Sequence, residues 1–372
     1  MQRLLLLVLV VAGFGLVTVR TQTPETPEKV ETEEIKINVA AVGRDGEFVS
    51  DLKKEDLVVT EDGRLHQLNS LTFTPASVMI ALDNGGVLRE KKNINTTREI
   101  AGSIVRNLRE DSSISLMQFH DGAEILSGWS KDRPELLNII NNRTRFGRRS
   151  SFTQAIAAAA KYFKETPVAN PHLILVTDGL DSPVNSEERA AALRELWQSG
   201  IVVHVISWTL MENAGARTHD RVWRKGEQEP KRMPEEMLEQ LALAIPVKRN
   251  VAKELLKNIY SPRLFSIVTD GPFIHSQREH KRALGINQIQ LSVLAGHTGG
   301  DFLLPGSLTE IVENAAAVSR SINQQYVATY SPKRPLKDVK EDEIRSIEIT
   351  SRRSDVDIRS SRKLVVFAPK TP

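Results

Sequence analysis

Apolar residues fall along this chain in two rhythms. Near the start, Ile35, Ile37, Val39 and Ala41 alternate with mostly polar residues, the two-residue period of a half-buried strand. Asp45-Gly46 and Asp62-Gly63 are turn signals, and residues 57–60 with Leu68, Leu71 and Phe73 predict further strands around the second turn. From Ser77 the rhythm changes. Residues 78–82, 114–119, 173–177 and 201–206 are near-continuous apolar runs, as expected of strands buried on both faces of a parallel sheet.

Helical periods lie between these runs. Thr96 and Glu99 form a candidate capping box ahead of Ile100, Ile104, Val105 and Leu108. Phe152, Ala155, Ile156, Ala159 and Phe163 make a second stripe. Ser186 is a candidate cap for a third helix carrying Leu193, Leu196 and Trp197, closed by Gly200, and Leu308, Ile311, Val312, Ala315, Val318 and Ile322 make a fourth. Alternating strands and helices predict an α/β fold with a doubly wound, mostly parallel sheet flanked by helices. Residues 209–285 fit poorly and read as an insertion, with weak helix candidates at 234–243 and 252–259. After Tyr330 strand signals return at 344–349, 356–358 and 364–367, and are expected to join the N-terminal strands in one small β module.

Composition then narrows the class. The 372 residues are 40% hydrophobic and 26% charged, as in ordinary globular proteins, and the formal charge of +3 gives no electrostatic reason to expect nucleic acid. Cysteine is absent, which excludes disulfides, thiolate metal sites and cysteine nucleophiles. Arg3 followed by the apolar run 4–19 has the layout of a secretory signal or N-terminal membrane anchor over residues 1–22, with 23–34 a Pro-, Thr- and Glu-rich linker. The expected organisation is then a β segment at 35–74, the α/β domain at 75–330 with its insertion, and a β segment at 331–372. A secreted or periplasmic location follows from the leader, anchored if that segment is retained.

Ligands of a doubly wound sheet gather outside the carboxyl ends of its strands. Three segments should meet there: Asp83-Asn84-Gly85-Gly86-Val87, Gly147-Arg148-Arg149-Ser150, and Thr177-Asp178-Gly179. Asp83, Ser150 and Asp178 would make an oxygen-lined site of the kind hard cations prefer. No phosphate-binding Gly-x-x-x-x-Gly-Lys-Ser/Thr loop, Gly-x-Ser-x-Gly elbow or His-Glu-x-x-His helix is present. His204, inside an apolar strand, reads as a core residue, and His120 is the sole nominee for a base near the two aspartates.

These residues resemble the von Willebrand factor A family and its metal-ion-dependent adhesion site. That family carries Asp-x-Ser-x-Ser after the first strand, a Thr in a Gly-rich loop and an Asp in a Thr-Asp-Gly-like turn. Asp83 and Asp178 match the first and last positions, and Ser150 matches the Thr because it precedes Ala155 and Ile156 at the family's offsets of five and six. The two family serines fall on Gly85 and Val87, which makes the site degenerate. Arg44-Asp45-Gly46, Glu61-Asp62-Gly63, His297-Thr298-Gly299-Gly300, Gln325-Tyr326 and Tyr330-Ser331-Pro332 further resemble the layout of von Willebrand-related proteins of Acidobacteria.

The resemblance implies a non-catalytic module of adhesion or scaffold type that binds another protein. The cofactor it implies is Mg²⁺ or another divalent cation. Arg143, Arg145, Arg148 and Arg149 crowd one loop at the rim. Arg145, Arg148 and Arg149, with Asn84, are the candidate ligand-binding residues, the arginines receiving a partner's acidic side chain in place of the cation. The alternative is a divalent-metal-dependent hydrolase using the same aspartates.

Overall fold

The computed structural model describes residues 33–86, 92–182, 185–215, 242, 247–256, 272–336, 338–359 and 361–368. The leader, the linker as far as Thr32, the candidate helix at 234–243 apart from Ala242, and Val87 lie outside them. Among the described residues no helix is long and apolar enough to cross a membrane.

A six-stranded sheet forms the centre. Its strands are β5 (Ser77–Asp83), β6 (Ser113–Phe119), β7 (Ala123–Ser130), β8 (Pro171–Thr177), β9 (Val202–Ser207) and β10 (Phe302–Leu303), in the order β10-β9-β8-β5-β6-β7. All neighbours pair in parallel except β6 and β7. The apolar runs are continuous because both faces are covered. Met79, Ala81, Met117, Phe119, Leu173 and Leu175 pack under helices α3 (Phe152–Glu165) and α4 (Ser186–Gln198) and the long helix Pro272–Thr298. Val78, Ile80, Leu82, Leu116, Ile174 and Val176 pack under α1 (Ile94–Asn107), α2 (Arg133–Arg143) and the helix Leu308–Asn323.

The caps differ in detail from the sequence pattern. α1 starts at Asn93, whose side chain accepts the Thr96 amide, so Thr96 lies inside the helix. α4 is capped by Asn185 one residue before Ser186, accepting two orphan amides where a serine hydroxyl would accept one. Part of the expected insertion is integral to the fold. Within 209–285, Met211, Ala252, Leu256 and Leu284 are buried in the hydrophobic core.

The flanking strands make two antiparallel sheets. One has the order β13-β1-β11-β4 and the other β14-β12-β2-β3. Their ranges are β1 Ile35–Gly43, β2 Leu57–Glu61, β3 Arg64–His66, β4 Leu68–Thr72, β11 Gln325–Tyr330, β12 Glu343–Ser351, β13 Val356–Arg359 and β14 Ser361–Val366. Ile37, Val39, Val59, Tyr326, Tyr330, Ile347 and Ile349 share one core between them. The N- and C-terminal segments therefore do form a joint β module. β11 lies between β1 and β4, where Tyr326, Ala328 and Tyr330 fill the core of that module.

Candidate functional site

The direction of chain travel across the sheet reverses at the β5–β8 pair, and the crevice of a doubly wound sheet opens at such a reversal. Asp83 ends β5 and Asp178 follows β8, so the parallel register carries both carboxylates to the same end. Ser150 arrives on the loop before α3, and its hydroxyl donates to Asp83 at 3.3 Å to Oδ1 and 3.4 Å to Oδ2. Thr177 Oγ1 donates to Asp83 Oδ2 at 2.8 Å, the Gly85 amide to Asp83 Oδ1 at 3.1 Å, and the Leu180 amide to Asp178 Oδ1 at 3.0 Å. The three expected residues are thus brought together, and all three are buried.

A fourth residue, not singled out in the sequence, stands between them. The Lys92 ammonium lies 3.0 Å from Asp83 Oδ2 and 2.7 Å from Asp178 Oδ2. Its side chain is 2% exposed, and its backbone amide is fixed by Glu212 Oε1 at 3.1 Å. Burial alone would favour neutral lysine, but the Asp178 and Asp83 carboxylates hold Lys92 protonated above the ordinary lysine range. Burial pushes the Asp83 carboxyl upward, Lys92 pulls it back, and the neighbouring Asp178 charge adds to the push.

The residues present do not fit the divalent cation that was expected here. The Lys92 ammonium already stands between the two carboxylates that would hold the ion. A serine at position 85 has no room either, since a Cβ on Gly85 would lie 1.9 Å from the Arg149 carbonyl oxygen. The missing hydroxyl at position 85 is therefore structural, because the Ser150 loop is drawn in over the first strand's end. Among the described residues no cluster of three or more His, Asp or Glu side chains is arranged to hold a metal.

A cleft of about 230 Å³ opens above this cluster, lined in part by Gly86, Lys92, Arg148, Ser150, Asp178 and Glu212. The arginine loop forms one rim. Its backbone is fixed: the Gly147 amide donates to the Asn84 carbonyl at 3.1 Å, and the Arg149 and Arg148 amides donate to Asp121 at 2.9 and 3.4 Å. Those amides, Arg149 first, hold the Asp121 carboxyl below the usual carboxylate range. Arg148 and Arg149 are exposed, and neither guanidinium forms a hydrogen bond or ion pair among the described residues. Arg143 and Arg145 are engaged elsewhere, on the Leu126 carbonyl at 2.8 Å and on Glu124 at 3.3 Å. Asn84, expected as a ligand-binding residue, is fully buried and donates to Gln118 at 3.3 Å, so it faces the interior and not the cleft.

His120 is held by its neighbours. Its Nδ1 accepts the Asp121 amide at 2.7 Å, and its ring lies against Gly147. His204 is a core residue, as expected, stacked on His172 at a centroid distance of 5.4 Å and bonded to Asp301 at 3.1 Å.

Residues 78–180 match the family model of the von Willebrand factor type A domain. No curated protein matches the chain. Among solved structures, a von Willebrand factor type A protein from Catenulispora acidiphila is 9% identical over 91% of this chain and 74% of its own, with a TM-score of 0.41. An aerotolerance-related membrane protein from Bacteroides fragilis is 14% identical over 68% of this chain and all of its own, with a TM-score of 0.38. A manganese-loaded TRAP protein from Plasmodium vivax is 11% identical over 82% of this chain and 98% of its own, also at 0.38. The stretch that carries β5, β6 and β8 is thus the part of the chain that matches the von Willebrand factor type A domain.

Proposed function

We propose that this chain is an extracytoplasmic, non-catalytic binding module of adhesion or scaffold type, whose recognition surface is the cleft over Asp83, Lys92 and Asp178. The observation that carries this reading is the exposed Arg148–Arg149 pair on a rim whose backbone is already fixed. Two exposed guanidiniums on a loop with a fixed backbone can each grip a carboxylate through paired, charge-assisted hydrogen bonds. Little loop entropy is then lost on binding. Domains of this family are commonly protein-binding, and the partner side chain this rim suits is acidic. The leader-like segment at residues 1–22 is what supports an exported location.

Affinity capture from the native envelope fraction tests the reading. Wild type should retain its partner with or without EDTA, and the Arg148→Glu/Arg149→Glu double variant should lose it. Equal capture by both proteins would remove the arginine rim from recognition.

A further inference from the structure

We infer that Lys92 is a built-in substitute for a divalent cation: its ammonium neutralises the Asp83–Asp178 pair from within the chain and closes the site to metal ions. Three independent features carry this. The ammonium is within ion-pair distance of one oxygen on each carboxylate, 3.0 and 2.7 Å, which is the bridging position between them. It is held there at both ends, since the Lys92 amide is bonded to Glu212 and α1 begins directly afterwards, capped by Asn93. One ligand position has been given up to match. The Arg149 carbonyl occupies the space that a side chain at Gly85 would need, so no hydroxyl ligand can be placed there.

An ammonium suits this task because it carries three donors and a compact charge on a flexible stem. It leaves one net negative charge among the three groups, where Mg²⁺ would leave none. It also needs no uptake from solution. The inference concerns the interior of the site and stands apart from the identity of any partner.

Mn²⁺ titration of the whole chain tests it, read by electron paramagnetic resonance and by thermal melting. Wild type should show no site-specific Mn²⁺ binding, and its Tm should not move. Lys92→Ala vacates the bridging position. It should bind one Mn²⁺, with Tm rising by roughly 5 °C or more at a metal concentration about 100 times Kd. Lys92→Ala combined with Asp178→Asn should lose that response. If Lys92→Ala does not fold by itself, its refolding from urea should depend on Mn²⁺. Wild-type Mn²⁺ binding that disappears in Asp83→Asn would overturn the inference. So would a Lys92→Ala chain that neither binds Mn²⁺ when folded nor refolds with it.

Discussion

Two buried charge clusters in this molecule are built from similar groups and differ in what surrounds them. In the β module, Glu61 is met by Arg345 at 3.1 Å, Arg334 at 3.3 Å and the Tyr330 hydroxyl at 2.9 Å. Arg345 also donates to the carbonyls of Arg334 and Pro335 and to Glu343. Strands β2 and β12 are hydrogen-bonded neighbours there, with Glu61 opposite Ile347, so the charges lie on adjacent ladder positions inside a sandwich core. At the sheet mouth, two carboxylates from the ends of neighbouring strands share one ammonium, and a cleft lies directly above. The first cluster is saturated at its buried centre, Glu61 and Arg345, and reaches solvent only through Arg334 and Glu343. The second is charge-deficient and borders solvent. A buried charge cluster that opens on a cleft is placed to meet a ligand, whereas one centred in a sheet core is accounted for by packing.

The largest effect should come from the mouth. Lys92→Met leaves two adjacent carboxylates without their counter-charge, and should lower unfolding free energy by about 3–5 kcal/mol in urea titration. Adding Asp83→Asn and Asp178→Asn should return much of that loss. If it does not, the lysine's role is packing and the comparison fails. Arg345→Met should cost less, about 2–3 kcal/mol, because Arg334 and Tyr330 still donate to Glu61. It should leave partner capture unchanged.

A third buried group sharpens the acid side of the comparison. Burial, reinforced by His204, holds His172 well below its ordinary 6.5. A depressed folded value means the unfolded chain binds the proton first. The stability His172 contributes is therefore full above pH 6.5 and lost progressively as pH falls below it, by at most about 1.4 kcal/mol per pH unit. His172→Asn should flatten that slope in denaturant titrations run at several pH values. A slope unchanged in the variant would place the acid loss in the carboxylate clusters. The smallest stability effect belongs to the exposed rim. Arg148→Glu/Arg149→Glu should shift unfolding free energy by only about 0.5 kcal/mol while having the greatest effect on capture.

Much of the fold was legible along the chain. Residues 78–82 and 173–177 are apolar without alternation because both their faces are roofed by helices, and that composition is sufficient to read. β7 and α2 escaped notice for the converse reason. β7 is an antiparallel edge strand whose residues are mostly half-exposed, and α2 buries only Leu136, Ile139 and Ile140. The Asp132 cap followed by Pro134 was a usable signal for α2. At the site, Asp83, Ser150 and Asp178 were readable because each sits beside a strand end or helix start that periodicity locates. Lys92 had no such marker. It lies nine residues beyond Asp83 in a charged stretch that resembles any solvated loop.

The sequence by itself determined that a parallel sheet would form and that two aspartates would stand at one end of it, because hydrophobic periodicity specifies strand faces and strand ends together. Tertiary structure alone decided what those aspartates would hold. A lysine's charge is the same in a surface loop or between two carboxylates, and only the path of the chain brought its ammonium within 3.0 Å of both. The same holds for β11, whose alternation suits either sheet and whose place was settled by which core Tyr326 and Tyr330 could fill.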